Sequence, residues 1–311
     1  MIRFFAVLIS FFLFFSEAYI PPYEYRDEEN IRFSAVILSD MHTETNSNAR
    51  FLMDGYTLKG VYSGGRSPDV LAFAGDNTMN GQSVEWFDFY GLVNRYNKGS
   101  DVLVAFGNHD FGNTADGEVY KKLSKRSVDS YNYYCRKNID KVYYSADYGV
   151  VKFIVLGSEN NAENTVQVIT DTQIDWLESE LADCAGRNIP AVVINHNPLY
   201  GRNGRRSYFG FNQIESSEKI DSVLQSAGVK IIYVSGHTHF GLSADSVTSD
   251  GSVTYINLPS AGNNGNYDAP EEYSTHGIGM ILEIYDGDMV VTFRNFAKGK
   301  ALEGYGTETA L

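Results

Sequence analysis

Histidine is scarce in this sequence, and nearly all of it lies in short polar motifs. Of the six histidines, five belong to such motifs and only His276 does not. In chain order the motifs are Asp40-x-His42, Gly75-Asp76, Gly107-Asn108-His109-Asp110, His196 and Gly236-His237-x-His239. Imidazole, carboxylate and amide groups without thiolates suit Zn, Mn or Fe. We therefore expect these motifs to meet in a metal site.

The size of this ligand set fits two metal ions. Eight protein–metal bonds are about what two ions need when a carboxylate bridges them and positions stay open for water and substrate. Two ions about 3.5–4 Å apart can share a hydroxide and clamp the oxygens of an in-line phosphoryl displacement. Such a site would suit attack of the shared hydroxide on phosphorus.

Each motif follows a short apolar run, which predicts a strand buried on both faces. The carboxyl ends of parallel strands in an open α/β sheet converge on one crevice, which would bring the motifs together. The five runs are Phe33 to Leu38, Val70 to Ala74, Val102 to Phe106, Ala191 to Ile194 and Val229 to Val234.

The rest of the pattern indicates a single α/β domain. Apolar spacing predicts helices over Ser83–Tyr96 and Ile214–Ala227, and a capping box at Thr170 opens another. A strand is expected near Val253, and a hairpin turns at Asp286-Gly287. Runs such as Val142 to Ala146 and Val150 to Leu156 predict a second hairpin.

The order of the motifs resembles that of the calcineurin-like metallophosphoesterase superfamily, over essentially the whole chain after its first residues. The resemblance implies a four-layer αββα sandwich, in which two mixed β-sheets are flanked by helices. It implies a first metal held by Asp40, His42 and His239, a second held by Asn108, His196 and His237, and Asp76 as the bridge. His109 would then face the phosphate as proton donor or charge stabiliser, with Asp110 orienting it.

The resemblance implies a dinuclear metal-dependent phosphoester hydrolase, with phosphodiesters slightly favoured as substrates. The stretch from Gly75 to Gly81 is similar to that of class III cyclic-nucleotide phosphodiesterases, although Asn77 replaces an apolar residue common there. Met79 stands where purple acid phosphatases carry Tyr, which argues against that branch. The alternatives are a phosphomonoesterase, a sphingomyelinase-like lipid phosphodiesterase and a non-catalytic binding module.

The net charge limits the possible binding partners, and the N-terminal residues indicate the cellular location. The chain has 25 Lys and Arg against 39 Asp and Glu, a net charge of −14, so general nucleic-acid binding is not expected. The metal-site motifs and the resemblance imply a small-molecule phosphoester as the substrate. Residues 1–18 read as a signal peptide too short for a stable membrane span, 19–32 as a leader, and 33–311 as the domain. We expect a secreted or otherwise exported protein; an uncleaved anchor is the alternative.

Three further features have a plain structural alternative. Cys135 and Cys184 could form one disulfide, although the sequence does not show that they meet. His276 could support the metal site or be structural. Three arginines in a Gly-rich loop after His196 could contact a phosphate or belong to a solvated loop: Arg202, Arg205 and Arg206.

Overall fold

A computed structural model describes residues 19–44, 48–161, 166–207, 214–262, 271–273 and 275–311. The described helices are α1 (Asn48–Val61), α2 (Ser83–Tyr96), α3 (Gly117–Cys135), α4 (Asp171–Arg187) and α5 (Ser217–Ser226). The described strands are β1 (Phe33–Leu38), β2 (Val70–Ala74), β3 (Asp101–Ala105), β4 (Tyr144–Asp147), β5 (Lys152–Val155), β6 (Asn160–Asn161), β7 (Gln167–Val168), β8 (Ala191–Ile194), β9 (Ile231–Ser235), β10 (Val247–Asp250), β11 (Val253–Asn257), β12 (Ile278–Ile284), β13 (Asp288–Asn295) and β14 (Lys300–Ala310).

Two six-stranded mixed sheets form the centre of the fold. The first has the order β14-β13-β12-β1-β2-β3, in which β1, β2 and β3 are parallel to one another. The second has the order β10-β11-β9-β8-β5-β4, in which β5, β8, β9 and β11 are parallel. The predicted hairpins β4–β5 and β12–β13 are antiparallel, as expected.

The central strands, such as β1, β2, β5, β8 and β9, are buried on both faces because the sheets are stacked between two helical layers. In β1, Val36 packs in the cluster that includes α1, α2 and α3, whereas Ile37 packs in the cluster between the sheets. Likewise Phe153 of β5 faces the first sheet and Ile154 faces the cluster of α4 and α5. The αββα architecture expected from the resemblance is confirmed.

Element boundaries follow the sequence closely where the apolar runs are continuous. The strands over Phe33–Leu38 and Ala191–Ile194 match the prediction, and Thr170 caps α4 by accepting from the Gln173 N–H. The helix expected from Ile214 is shorter, because α5 starts at Ser217. The proposed signal peptide lies outside the described residues.

The segment 19–32, expected to be a leader, packs against the domain. The Tyr23 hydroxyl donates to Val61 O at 3.0 Å, and the Tyr23 ring meets Tyr25 and Phe296 edge-on at 5.4 and 6.1 Å. Arg294 donates to Pro21 O at 2.7 Å. These contacts make the segment part of the first helical layer's core.

The two cysteines are free thiols. Cys135 ends α3 and Cys184 lies in α4, so the two helices that carry them cover opposite faces of the sandwich. Within the described ranges, no helix has the length and apolar composition that a bilayer crossing requires.

Replacing Tyr23 tests whether segment 19–32 belongs to the folded core. Tyr23 is 4% exposed, so Tyr23→Ala should lower the free energy of unfolding by about 3–5 kcal/mol, as for other large-to-small changes of buried aromatic residues. Tyr19→Ala is the control, because Tyr19 is 82% exposed. Urea denaturation should separate the two variants; equal stabilities would show that the segment is not part of the core.

Candidate metal centre

The predicted ligand residues converge at the edge where the parallel strands of both sheets end. The potential ligand atoms form two groups, within each of which all atoms lie within 4.8 Å of one another, and both groups contain Asp76. The first sheet supplies Asp40, His42 and Asp76, and the second supplies the remaining histidines. The first group is Asp40, His42, Asp76 and His239, and the second is Asp76, His196 and His237.

In the first group, two imidazoles and two carboxylates point at a common centre. His239 Nε2 lies 3.1 Å from Asp40 Oδ1, and His42 Nε2 lies 3.7 Å from Asp76 Oδ2. The two Nε2 atoms are 2.9 Å apart. This donor set is the nitrogen and oxygen combination that suits Zn, Mn or Fe.

The second group is built around His196, which is fully buried. His196 Nε2 lies 3.1 Å from Asp76 Oδ2 and 3.2 Å from His237 Nδ1. Its other ring nitrogen, Nδ1, lies 2.9 Å from Ala74 O. A carbonyl accepts the proton on Nδ1, so Nε2 is left facing Asp76 as a ligand would.

Asn108 completes the second group in the resemblance, and its surroundings fit that role. The side chain is buried, and Oδ1 has no hydrogen-bond partner among the described residues. Its Nδ2 lies 3.3 Å from Asn113 Oδ1. A buried amide oxygen without a donor is costly in a dry site, and a cation would satisfy it.

The backbone at the ligands is bent in an unusual way. The φ angles of Asp40, His42, Asp76, His237 and His239 lie between 49° and 69°. Residues other than glycine adopt this left-handed region rarely, and such strain clusters at functional sites. The bends turn each side chain away from its strand and towards the shared centre.

Three glycines leave room for the ligand side chains. A Cβ atom on Gly75 would overlap the His196 ring, one on Gly107 would overlap Asp76 Oδ1, and one on Gly236 would overlap Ser39 Oγ and Asp40 Oδ2. Any other residue there would push a ligand from its place, which explains the glycine at each of the three motifs.

Hydrogen bonds between the loops fix the carboxylates. Asp40 Oδ2 accepts from the His237 N–H at 3.0 Å, and Asp76 Oδ1 accepts from the His109 N–H at 2.8 Å. The His42 N–H donates to Asp76 O at 2.8 Å. Each carboxylate therefore has one position fixed by a neighbouring loop before any ion binds.

The buried carboxylates and the histidines around them shift one another's pKa values. Burial alone would raise the pKa of Asp40, but His239 and His42 hold that pKa well below its usual range. Burial works against a charged His196, yet Asp76 outweighs it and raises the pKa of His196 to about 9. A proton on His196 thus occupies a place where a cation is stabilised, and a bound metal would displace it.

Asp110 does not contact His109 in the way that we expected. His109 Nδ1 lies 2.8 Å from Met79 O, so a backbone carbonyl orients the ring. Asp110 is fully buried and accepts instead from the N–H groups of Asn77, Thr78 and Gly107 and from two side chains. Burial and the nearby Asp76 raise the pKa of Asp110 to about 6. Asp110 therefore holds the loops that carry Asp76 and Asn108.

Two other sequence candidates take structural positions. The Arg202 side chain donates to Asp221 at 2.6 Å and to Asp250 at 2.8 Å, which favours the alternative of a loop contact over a phosphate contact. The side chains of Arg205 and Arg206 lie outside the described residues. His276 Nδ1 lies 2.8 Å from Gly262 O, and the Gly262 N–H donates to Asp40 O at 3.2 Å.

One supporting residue was missed in the sequence. Asn257 ends β11, donates to Gly236 O at 2.7 Å and accepts from the Thr238 hydroxyl at 2.6 Å. It therefore shapes the loop of His237 and His239. The signal was present, since a polar residue interrupts the apolar run from Val253 at the same edge of the sheet.

A family model described as calcineurin-like phosphoesterase matches residues 33–241. The chain belongs to the calcineurin-like phosphoesterase family. The matched region contains every ligand candidate, from Asp40 to His239.

Two curated proteins are similar to part of this chain. The protein named "Probable cyclic nucleotide phosphodiesterase" from Rhodococcus erythropolis is 26% identical over 223 residues, 67% of this chain and 65% of that one. The human "Serine/threonine-protein phosphatase CPPED1" is 26% identical over 157 residues, 49% of this chain and 46% of that one. The chain thus spans less than two thirds of either relative.

Solved structures share the fold. A dimetal phosphatase from Danio rerio gives a TM-score of 0.63 at 14% identity and covers 90% of this chain and 99% of that one. A purple acid phosphatase from yellow lupin seeds gives 0.63 at 16% identity and covers 89% and 53%. At these identities the likeness shows the architecture alone.

A methyl group at Gly236 should weaken metal binding although every ligand residue keeps its identity. In Gly236→Ala, the Cβ would displace Ser39 and Asp40, so the affinity for Mn should fall about 10–100-fold, as for other changes to groups that support ligands. Gly91→Ala is the matched control, because nothing lies within 4 Å of its Cβ. Isothermal titration with Mn measures both, and equal affinities would contradict the close packing at Gly236.

The role of Asp110 can be separated from that of His109. An Asn at position 110 would turn an amide N–H towards donors, and each buried donor left unpaired costs about 1–3 kcal/mol. Asp110→Asn should therefore lower both thermal stability and Mn affinity, whereas His109→Asn should leave Mn affinity within about threefold, because His109 is not in either ligand group. Unchanged stability and Mn affinity in Asp110→Asn would contradict the role of Asp110 in holding the two ligand loops.

Proposed function

We propose that this protein is a dinuclear metal-dependent phosphoester hydrolase. The observation that carries the proposal is Asp76, whose carboxylate belongs to both groups of ligand atoms. Bound at the two groups, the ions would supply an activated water and positive charge for the phosphoryl oxygens. The donor set leaves Mn, Zn and Fe open as the metals.

The residues of the site have two proposed roles, metal binding and proton donation. We assign metal binding to Asp40, His42, Asp76, Asn108, His196, His237 and His239. We assign a different role to His109, because its Nδ1 donates a hydrogen bond to Met79 O. Its Nε2 therefore donates to a substrate oxygen only when the ring is an imidazolium, and in that form it can protonate the leaving group or stabilise negative charge.

Phosphodiesters are the favoured substrate class. The support is the similarity to a protein named as a cyclic nucleotide phosphodiesterase, together with the spacing from Gly75 to Gly81. Phosphomonoesters are the second candidate, since the human relative is named as a protein phosphatase. We also propose that residues 1–18 direct export, on the apolar run from Phe4 to Phe15.

Hydrolysis assays with defined metals test the proposal. Bis-p-nitrophenyl phosphate, p-nitrophenyl phosphate and cyclic AMP would be compared with Mn, Zn and Fe and after chelation. We expect metal-dependent hydrolysis with the diesters preferred, none in Asp76→Ala, and kcat about 10²–10⁴-fold lower in His109→Asn, the usual contribution of a general acid.

The outcomes distinguish the candidates. A preference for p-nitrophenyl phosphate would support the phosphomonoesterase. Full activity in Asp76→Ala would contradict the shared carboxylate. A protein that binds no metal and hydrolyses none of these esters would support a non-catalytic binding module.

A further inference from the structure

Exposed apolar side chains are concentrated on one helical layer. Ten large hydrophobic side chains are exposed in the described part of the chain, and seven of them lie on α1, α2 and α3, whereas α4 and α5 carry none. Six of the seven lie within the first nine residues of their helices, and we call these six the apolar rim: Leu52, Met53, Tyr56, Val84, Phe87 and Val119.

The apolar rim borders the metal centre. Helices α1, α2 and α3 each begin shortly after the ligand loop that follows β1, β2 or β3, so their first halves lie at the edge of the sheet where the ligands converge. Helices α2 and α3 are linked near this edge, because Arg126 of α3 donates at 3.0 Å to Gly81 O, just before α2. Single exposed apolar residues are common on protein surfaces, whereas exposed apolar residues that lie together mark an interaction surface.

The charge of this layer differs from that of the rest of the molecule. Together α1, α2 and α3 contain seven basic and five acidic residues, whereas α4 and α5 contain two basic and seven acidic residues. The net charge of the whole chain is −14. The basic residues of α3 follow Val119: Lys121, Lys122 and Lys125 are exposed, Lys121 pairing with Glu118 at 3.1 Å and Lys125 with Asp129 at 2.6 Å.

We propose that the face formed by α1, α2 and α3 docks onto an anionic phospholipid surface, with the apolar rim inserted between headgroups. Apolar side chains beside lysines are the combination by which surface helices bind membranes. The acidic remainder does not prevent this, since salt screens charges beyond about 8–10 Å.

Vesicle sedimentation tests this surface without depending on hydrolysis. The full chain would be mixed with phosphatidylcholine vesicles, with and without phosphatidylglycerol, and its bound fraction measured. We expect binding that is stronger with phosphatidylglycerol and weaker at high salt. Met53→Ser with Phe87→Ser should weaken binding about tenfold or more, since each change removes an apolar side chain that insertion would bury.

Matched controls use other exposed positions in the same chain, so that the first 18 residues affect all samples equally. Leu311→Ser, an exposed apolar residue elsewhere, and Lys219→Glu, on α5, should leave binding unchanged. Lys122→Glu with Lys125→Glu should abolish the preference for phosphatidylglycerol. All variants should keep the parent melting temperature.

Two results would overturn the proposal. The first is equal vesicle binding by the parent and by the Met53→Ser, Phe87→Ser variant, which would place the lipid contact elsewhere. The second is a parent that ignores vesicles and elutes as a dimer that this variant converts to a monomer. That result would identify the face as a contact between copies of the chain.

Discussion

The Asp76 carboxylate is the constraint on which the site depends, because it must serve two ligand groups with only two oxygens. Oδ2 lies 3.1 Å from His196 on one side, while Oδ1 is held by the His109 N–H at 2.8 Å. Gly107 leaves the space that Asp76 Oδ1 fills. Asp110 accepts hydrogen bonds from both neighbouring loops, at Asn77 and at Gly107. Much of the loop structure around the site therefore serves to position one side chain.

Both sheets of the sandwich contribute ligands, so the site depends on how the two sheets pack together. Asp40, Asp76 and Asn108 follow strands of the first sheet, and His196 and His237 follow strands of the second. Neither sheet holds a complete set, so the two halves of the site meet only where the apolar layer packs the sheets against each other. Ions that bind only the assembled site would stabilise the fold by mass action.

The sequence predicted those parts of the structure in which local pattern and burial agree. Strands such as Phe33–Leu38 were predicted with their boundaries, because a run buried on both faces is apolar throughout. The bounds of helix α1 were not predicted, since the exposed Leu52 and Met53 and its glycines obscure the helical period, and α3 was not predicted because its lysines interrupt the apolar spacing. Ligand residues were recognisable by type, but the partners of Asp110 are mostly backbone N–H groups, which no residue pattern encodes.

The most direct test of the shared carboxylate is a crystal structure of the protein with Mn, with the ions located by anomalous scattering. Two ions bridged by one carboxylate should lie about 3.5–4 Å apart. The account predicts two peaks at this separation with Asp76 between them, His42 and His239 at one and His196 and His237 at the other. A single peak, or two peaks of which only one contacts Asp76, would contradict it.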